Sequence, residues 1–158
     1  MEERAPGVIH LVSVVVLLGS GIVAGVFFAV AVSVLPALAA MSPDRYLHTH
    51  QLLGKGYHPA MPLLVNATLL ADIALAVLVG PGTARALLIA TAVGIVVVEA
   101  VSHLCNAPIN KEVGRTSAQA PPADWRDPRP RWRRWHMVRT AAALLVLVLN
   151  SYAVTLGG

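Results

Sequence analysis

Charge is scarce in this sequence. Asp, Glu, Lys and Arg make up 13% of its 158 residues, where soluble domains carry roughly 25%, and 56% of the residues are hydrophobic. A soluble chain of this length cannot enclose such an excess, because a domain of about 150 residues still leaves near a third of its chain surface facing water. The scarcity excludes an ordinary water-soluble domain and makes lipid the main solvent. Cysteine is nearly absent too. The lone Cys105 allows no internal disulfide and no Cys-pair zinc or iron–sulfur site, and it leaves the redox compartment open. No internal repeat is present.

What the sequence does have is four apolar runs, each long enough for a bilayer core of about 30 Å, which takes roughly 20 helical residues. They lie at about residues 8–36, 61–79, 84–105 and 137–156. The first is too long and too uniformly apolar for a signal peptide and has only Arg4 as a basic residue before it. It is expected to stay in the mature protein. The fold class that follows is all-α, a four-helix transmembrane bundle forming a single integral membrane domain over residues 1–158.

The net charge of +4 raises the question of nucleic acid, but seven of the twelve Lys and Arg residues fall between Lys111 and Arg134, beside two spans. Membrane topology explains them better, and no nucleic-acid partner is expected. The N-terminal tail and the turn between the second and third spans hold only Arg4 and Arg85. The positive-inside rule therefore places loops 41–60 and 106–136 in the cytoplasm and both termini outside, in a multi-pass protein of the cell membrane.

Local signals refine this plan. Gly21 and Gly25 form a small-xxx-small face that lets another helix approach closely, including one from a second copy in a homo-oligomer. Pro36 marks the end of the first span. Ser42, Pro43 and Asp44 read as an N-cap with proline at the first helical position, so "SPDRYLHTHQLL" is expected to be a short interfacial helix between spans 1 and 2, ended by Gly54 and Gly56. "GPGT" at residues 80–83 makes spans 2 and 3 a hairpin. The connection from about Glu112 to Trp135, with "APPADWRDPRPRW", is expected to lack regular helix.

The third span carries an unexpected polar stripe. Glu99, His103, Asn106 and Asn110 follow at offsets of four, three and four, which on a helix is one face. Pro108 is expected to limit the helix, leaving the stripe secure only to Asn106. An acid inside a membrane span is costly. Glu99 is therefore either satisfied by an i,i+4 hydrogen bond to His103, or it orients that imidazole as a general base or metal ligand. Asp72, mid-span in the second helix, is open to three readings: neutral and hydrogen-bonded, paired with His10 or another helix, or a proton relay. Asn66 and Asn150 are consistent with amide glue between helices.

Five of the six histidines, His48, His50, His58, His103 and His136, fall at the cytoplasmic ends or loops. Helix ends meeting there form a cup that apolar substrates enter from lipid and polar reagents from water, although interfaces also collect such residues as plain anchors. Imidazole suits copper, iron and zinc. His50, His58, His103 and His136 are accordingly the candidate ligands of one transition metal, with a cofactor-free site as the alternative. His48 and His50, two apart, point to opposite sides of a helix.

Three stretches together resemble the anthrone oxygenase-like family of small membrane proteins. They are "GIVAGVFFAVAVSVLPAL" in the first span, "NAPIN" followed by "KEV" after the third, and "WRRWHMVRT" opening the fourth. The family pattern is a glycine-containing first helix ending near proline, an Asn-x-x-Leu element, and Trp-x-x-x-His-x-x-Arg-Thr before the last helix. Asn110 takes the Asn position, with Val113 where leucine is usual, and Trp132, His136, Arg139 and Thr140 take the last motif. The resemblance covers nearly the whole chain.

It implies oxidation of an anthrone or related polycyclic phenol to a quinone by molecular oxygen, as in aromatic polyketide biosynthesis. Removing a proton from the activated carbon gives an anion able to reduce oxygen, so the protein need supply only a base, oxyanion donors and a dry pocket. His103 or His136 would be the base, facing each other across the pocket, with Glu99 beside His103. Asn106, Asn110 and Arg139 would stabilise negative charge, and Trp132, Trp135 and Tyr57 would contact the ring. Two other functions fit the same sequence: a non-catalytic membrane protein that binds a lipophile or supports a complex, and a haem-binding electron carrier with two axial histidines. The expected partners are the lipid bilayer, a lipophilic small molecule and oxygen.

Overall fold

The computed structural model describes residues 4–119 and 125–157, and among these no strand occurs. Helix α1 (Arg4–Ala29) passes through a π turn (Val30–Val34) into α2 (Leu35–Ala39), and α3 (Pro43–Tyr57) follows. Helices α4 (Ala60–Leu78) and α5 (Thr83–Val101) form a hairpin. A second π turn (Ser102–Asn106) carries α5 into α6 (Ala107–Arg115), and α7 (Arg129–Gly157) completes the order. Among the described residues four helical rods are long and apolar enough to cross a membrane: Pro6–Ala39, Ala60–Leu78, Thr83–Arg115 and Arg129–Gly157. Helix α1 packs on α4, α4 on α5, α5 on α7, and α7 back on α1, an up-down-up-down four-helix bundle.

The bundle has the inside-out polarity of a protein dissolved in lipid. Leu11, Leu18, Phe28, Leu63, Leu70, Val77, Leu104 and Val148 point outward, while Ser13, Ser20, Thr68, Asp72, Thr91, Thr140 and Asn150 are buried. Lipid tails are as apolar as leucine, so helices associate there through small and polar residues. The buried hydroxyls need partners where water is absent, and their own helices provide them. Ser20 donates to the Val16 carbonyl at 2.7 Å, Thr68 to Leu64 at 2.8 Å and Thr91 to Leu88 at 2.8 Å. Close helix approach is made by Gly19 and Gly94. A Cβ on Gly94 would lie 2.6 Å from Val146 Cγ2, and one on Gly19 would overlap the Thr68 hydroxyl. The expected Gly21/Gly25 face meets open space instead, since that side of α1 touches no other helix of this chain.

Proline does not end helices where the sequence suggests. The first rod runs past Pro36 to Ala39, and the third runs past Pro108 to Arg115. Each proline stands just after a π turn, and there the amide ahead of it bonds five residues back: Leu35 N–H to Val30 and Ala107 N–H to Ser102. The wider turn makes room where the proline ring would otherwise clash with a carbonyl of the preceding turn. Helix α3 passes Gly54 and Gly56 and stops at Tyr57. Glycine weakens a helix without barring it, whereas His58, extended and directly before Pro59, is the residue proline forces out of helical conformation. Helix α7 starts at Arg129, with Pro130 in its first turn, a position that lacks an amide partner anyway. So the expected irregular stretch is helical from there on, and its residues 120–124 lie outside the described residues.

The second π turn also breaks the polar stripe. One extra residue shifts the helical phase by about 100°. His103 is left exposed while Asn106 is 1% exposed and faces the interior.

Candidate functional site

Polar side chains gather at the end of the bundle crossed by α3. That helix turns Tyr46, Leu47 and His50 inward, because residues three and four apart share a face. Helix α6 brings Asn110, the first turns of α7 bring Trp132, His136 and Arg139, and α1 contributes Phe27. Their rings form a continuous ladder. Tyr46 meets His50 edge-on at 5.3 Å between centroids, His50 meets Trp132 at 5.0 Å, Trp132 stacks on His136 at 5.4 Å with planes 17° apart, and Phe27 closes on His136 at 5.8 Å.

Hydrogen bonds fix the state of both buried histidines. Trp132 Nε1 donates to Asn110 Oδ1 at 2.9 Å, and the same oxygen lies 3.0 Å from His50 Nε2. An indole nitrogen can only donate, so the Asn110 atom is the oxygen, and an oxygen facing Nε2 requires the proton there. His50 Nδ1 is left as a bare lone pair, buried and without a partner among the described residues. Burial holds this imidazole below its ordinary value of 6.5, against the hydrogen bond to Asn110, so it is neutral at neutral pH. The Tyr46 hydroxyl beside it is also buried and unpartnered, and burial pushes that phenol up, keeping it protonated.

His136 is occupied on both nitrogens. Its Nε2–H donates to the Phe27 carbonyl at 3.0 Å, and Nδ1 accepts from Arg139 Nε at 3.1 Å and Nη2 at 2.8 Å. Arg139 also reaches Ser102 Oγ at 3.4 Å and lies 4.7 Å over the Phe27 ring. Among the described residues the only ion pairs are Arg129–Asp127 and Arg131–Glu112. The Arg139 guanidinium therefore stands largely enclosed by neutral groups, an arrangement that favours an incoming negative charge.

The sequence-predicted residues divide. Asn110, Trp132, His136 and Arg139 come together, and Asn106 supports them by donating from Nδ2 to the Trp132 carbonyl at 3.3 Å, its Oδ1 left buried and free. Tyr57 is exposed. Trp135 sits half-buried on the periphery, under Arg134. His103 does not join. Its ring is exposed and Nδ1–H donates to the Glu99 backbone carbonyl at 2.9 Å, not to the carboxylate, whose Oε1 is buried and unpartnered. The expected facing of His103 and His136 across a pocket is therefore not seen: His103 is exposed, and both ring nitrogens of His136 are hydrogen-bonded. Trp132 offers no open face for a substrate ring, since His136 covers one side and the residue is 9% exposed.

The proposed metal set does not assemble either. His58 and His103 are exposed, the Trp132 ring stands between His50 and His136, and among the described residues no three His, Cys, Asp or Glu form a group that could hold an ion. The two buried histidines, His50 and His136, both pack on the Trp132 ring.

Sequence reasoning missed several residues. Gln51 Nε2 donates to the carbonyls of Val113 and Thr116 at 2.9 and 3.0 Å, pinning α3 to the end of α6. Arg129 Nη1 grips the Met41 and Leu38 carbonyls at 2.7 and 3.2 Å and its guanidinium covers the Tyr46 ring at 5.2 Å. The i,i+4 spacing of Tyr46 and His50 around Leu47 was the available signal for an inward face of α3.

The sequence model of the anthrone oxygenase family matches residues 50–149, well over half of the chain. This chain belongs to the anthrone oxygenase family. The match opens on His50 and takes in Asn110, Trp132, His136 and Arg139, so most of the site lies within the part that defines the family. Comparison with curated proteins and with solved structures finds no match.

Proposed function

We propose that this anthrone oxygenase family member oxidises a lipophilic anthrone-type phenol to its quinone with molecular oxygen, and that His50 is the base. The observation that carries the reading is the bare, buried Nδ1 of an imidazole whose tautomer Asn110 and Trp132 impose. Nδ1 takes a proton from the activated ring carbon, and the resulting anion passes electrons to oxygen and forms a peroxide at that carbon. Loss of water then leaves the ketone, so one oxygen atom stays in the product and the other departs with the two hydrogens. Arg139, beyond His136 in the ladder, stabilises the substrate oxyanion, and the Tyr46 hydroxyl donates to a developing oxygen anion. His136 is a positioning residue: it holds the guanidinium and stacks on Trp132. The four candidate metal ligands do not gather, so every step is assigned to these side chains. The positive-inside rule puts this end of the bundle in the cytoplasm, where lipid delivers the substrate.

The test is oxygen uptake by the purified protein over a panel of anthrones under labelled oxygen. One labelled atom per quinone is expected, with His50→Ala inactive and still folded. A folded wild type that consumes no oxygen with any member of the panel favours the lipophile-binding or complex-supporting alternative.

A further inference from the structure

A second polar group sits inside the half of the bundle away from α3. Asp72 on α4, Thr91 on α5 and Asn150 on α7 are all completely buried. Asn150 Nδ2 donates to Asp72 Oδ2 over 3.5 Å. Asp72 Oδ1 and Asn150 Oδ1 are each buried with no partner among the described residues. Thr91 spends its hydroxyl proton on the Leu88 carbonyl. Among the described side chains no cation is paired with the carboxyl: neither ion pair involves Asp72, and His10 and Arg85, which lie toward this side of the bundle, are exposed.

Two residues already joined by one hydrogen bond thus present two idle acceptors. One donor between them would satisfy both, and an ionised carboxylate in this setting would be far more costly than a neutral one. A bound metal ion would want about six oxygen ligands, and the Asp72, Thr91 and Asn150 side chains supply at most four. We propose that Asp72 and Asn150 form a proton-binding site, a single proton held between Asp72 Oδ1 and Asn150 Oδ1. The O–H donates to the amide oxygen while the amide N–H donates to Asp72 Oδ2, closing an acid–amide ring that fastens α4 to α7. The proton is resident, because no side of the pair opens to water. Asn150 lies 14 residues beyond His136 on one helix, about 21 Å along the axis, so the site stands apart from the oxidation chemistry and does not depend on it.

Infrared spectroscopy of the protein in lipid, with carbon-13 in aspartate side-chain carboxyls, tests this. At neutral pH a protonated carboxyl band should shift with the label, respond to deuterium oxide only slowly, and vanish in Asp72→Asn. The hydrogen bond to Ser42 holds Asp44 low, and Arg129 holds Asp127 low despite its partial burial; loss of the band in Asp72→Asn separates Asp72 from all three other aspartates, Asp124 included. Asp72→Asn should keep its unfolding temperature near that of the wild type, since the new amide can donate where the acid did, whereas Asp72→Ala should lose several degrees. A labelled signal that is wholly ionised carboxylate overturns the proposal, as does a wild-type unfolding temperature that rises with sodium or lithium. The labelled wild type decides the matter even where a variant does not fold.

Discussion

The polar layers at the two ends of this bundle differ in economy. At the α3 end, residues from five elements share hydrogen bonds so that one oxygen, Asn110 Oδ1, serves two donors, and the surplus among the described residues is a free imidazole lone pair, the free Asn106 Oδ1 and a free phenol. At the other end three residues meet, and their surplus is two buried acceptors, Asp72 Oδ1 and Asn150 Oδ1, which the proposed proton would satisfy. The α3 layer reaches the surface at Asn110, while Asp72, Thr91 and Asn150 are completely buried, and the two layers also differ in what is left over. A surplus of opposite kinds, lone pair and hydroxyl, invites a substrate; a surplus of one kind invites a proton.

The largest expected effect breaks the comparison in two. His50→Ala should lower oxygen uptake by about 100-fold or more, the scale of a lost general base, while Asp72→Asn leaves the rate unchanged. Equal losses in both would mean that the layers act as one. Next comes stability. Asp72→Ala strands the Asn150 amide and should cost about 1–3 kcal/mol, read as thermal unfolding in lipid or detergent.

A smaller and sharper effect is the pH dependence at the α3 end. His50 has a folded-state value below its ordinary 6.5, so the unfolded chain binds the extra proton first. Its contribution to stability is complete above that value and is lost as pH falls below it. The acid limb of kcat/KM should likewise lie below 6.5, and Asn110→Ala should move it lower still, because the bond to Asn110 works to raise it. A limb that stays in place in that variant would remove His50 from the base position. The smallest effect is expected from Glu112→Gln. It breaks an ion pair with Arg131 at 2.9 Å between half-exposed side chains, and neither rate nor unfolding should change measurably.

The four spans were legible because twenty-residue apolar runs leave few alternatives, and Asn110, Trp132, His136 and Arg139 were legible as polar residues concentrated at one helix end. His103 was not. Reading it together with Asn106 assumed an uninterrupted period of 3.6 residues, and nothing in the apolar pattern announces the π turn at Ser102–Asn106. His50 was read as a ligand, since in one dimension it neighbours only His48. Its partners Asn110 and Trp132 are 60 and 82 positions away, and no local pattern joins them.

That same turn has a genetic consequence. A π turn holds one residue more than the α-helix it interrupts, so loss of a single codon within residues 102–106 would let the helix close to α geometry, at the cost of the room that the wider turn gives the Pro108 ring. The protein would still be made and inserted, yet everything from Ala107 onward would be turned by about 100°, carrying Asn110 away from His50. The segment is therefore a place where a deletion can keep the bundle and still disassemble the His50–Asn110–Trp132 cluster.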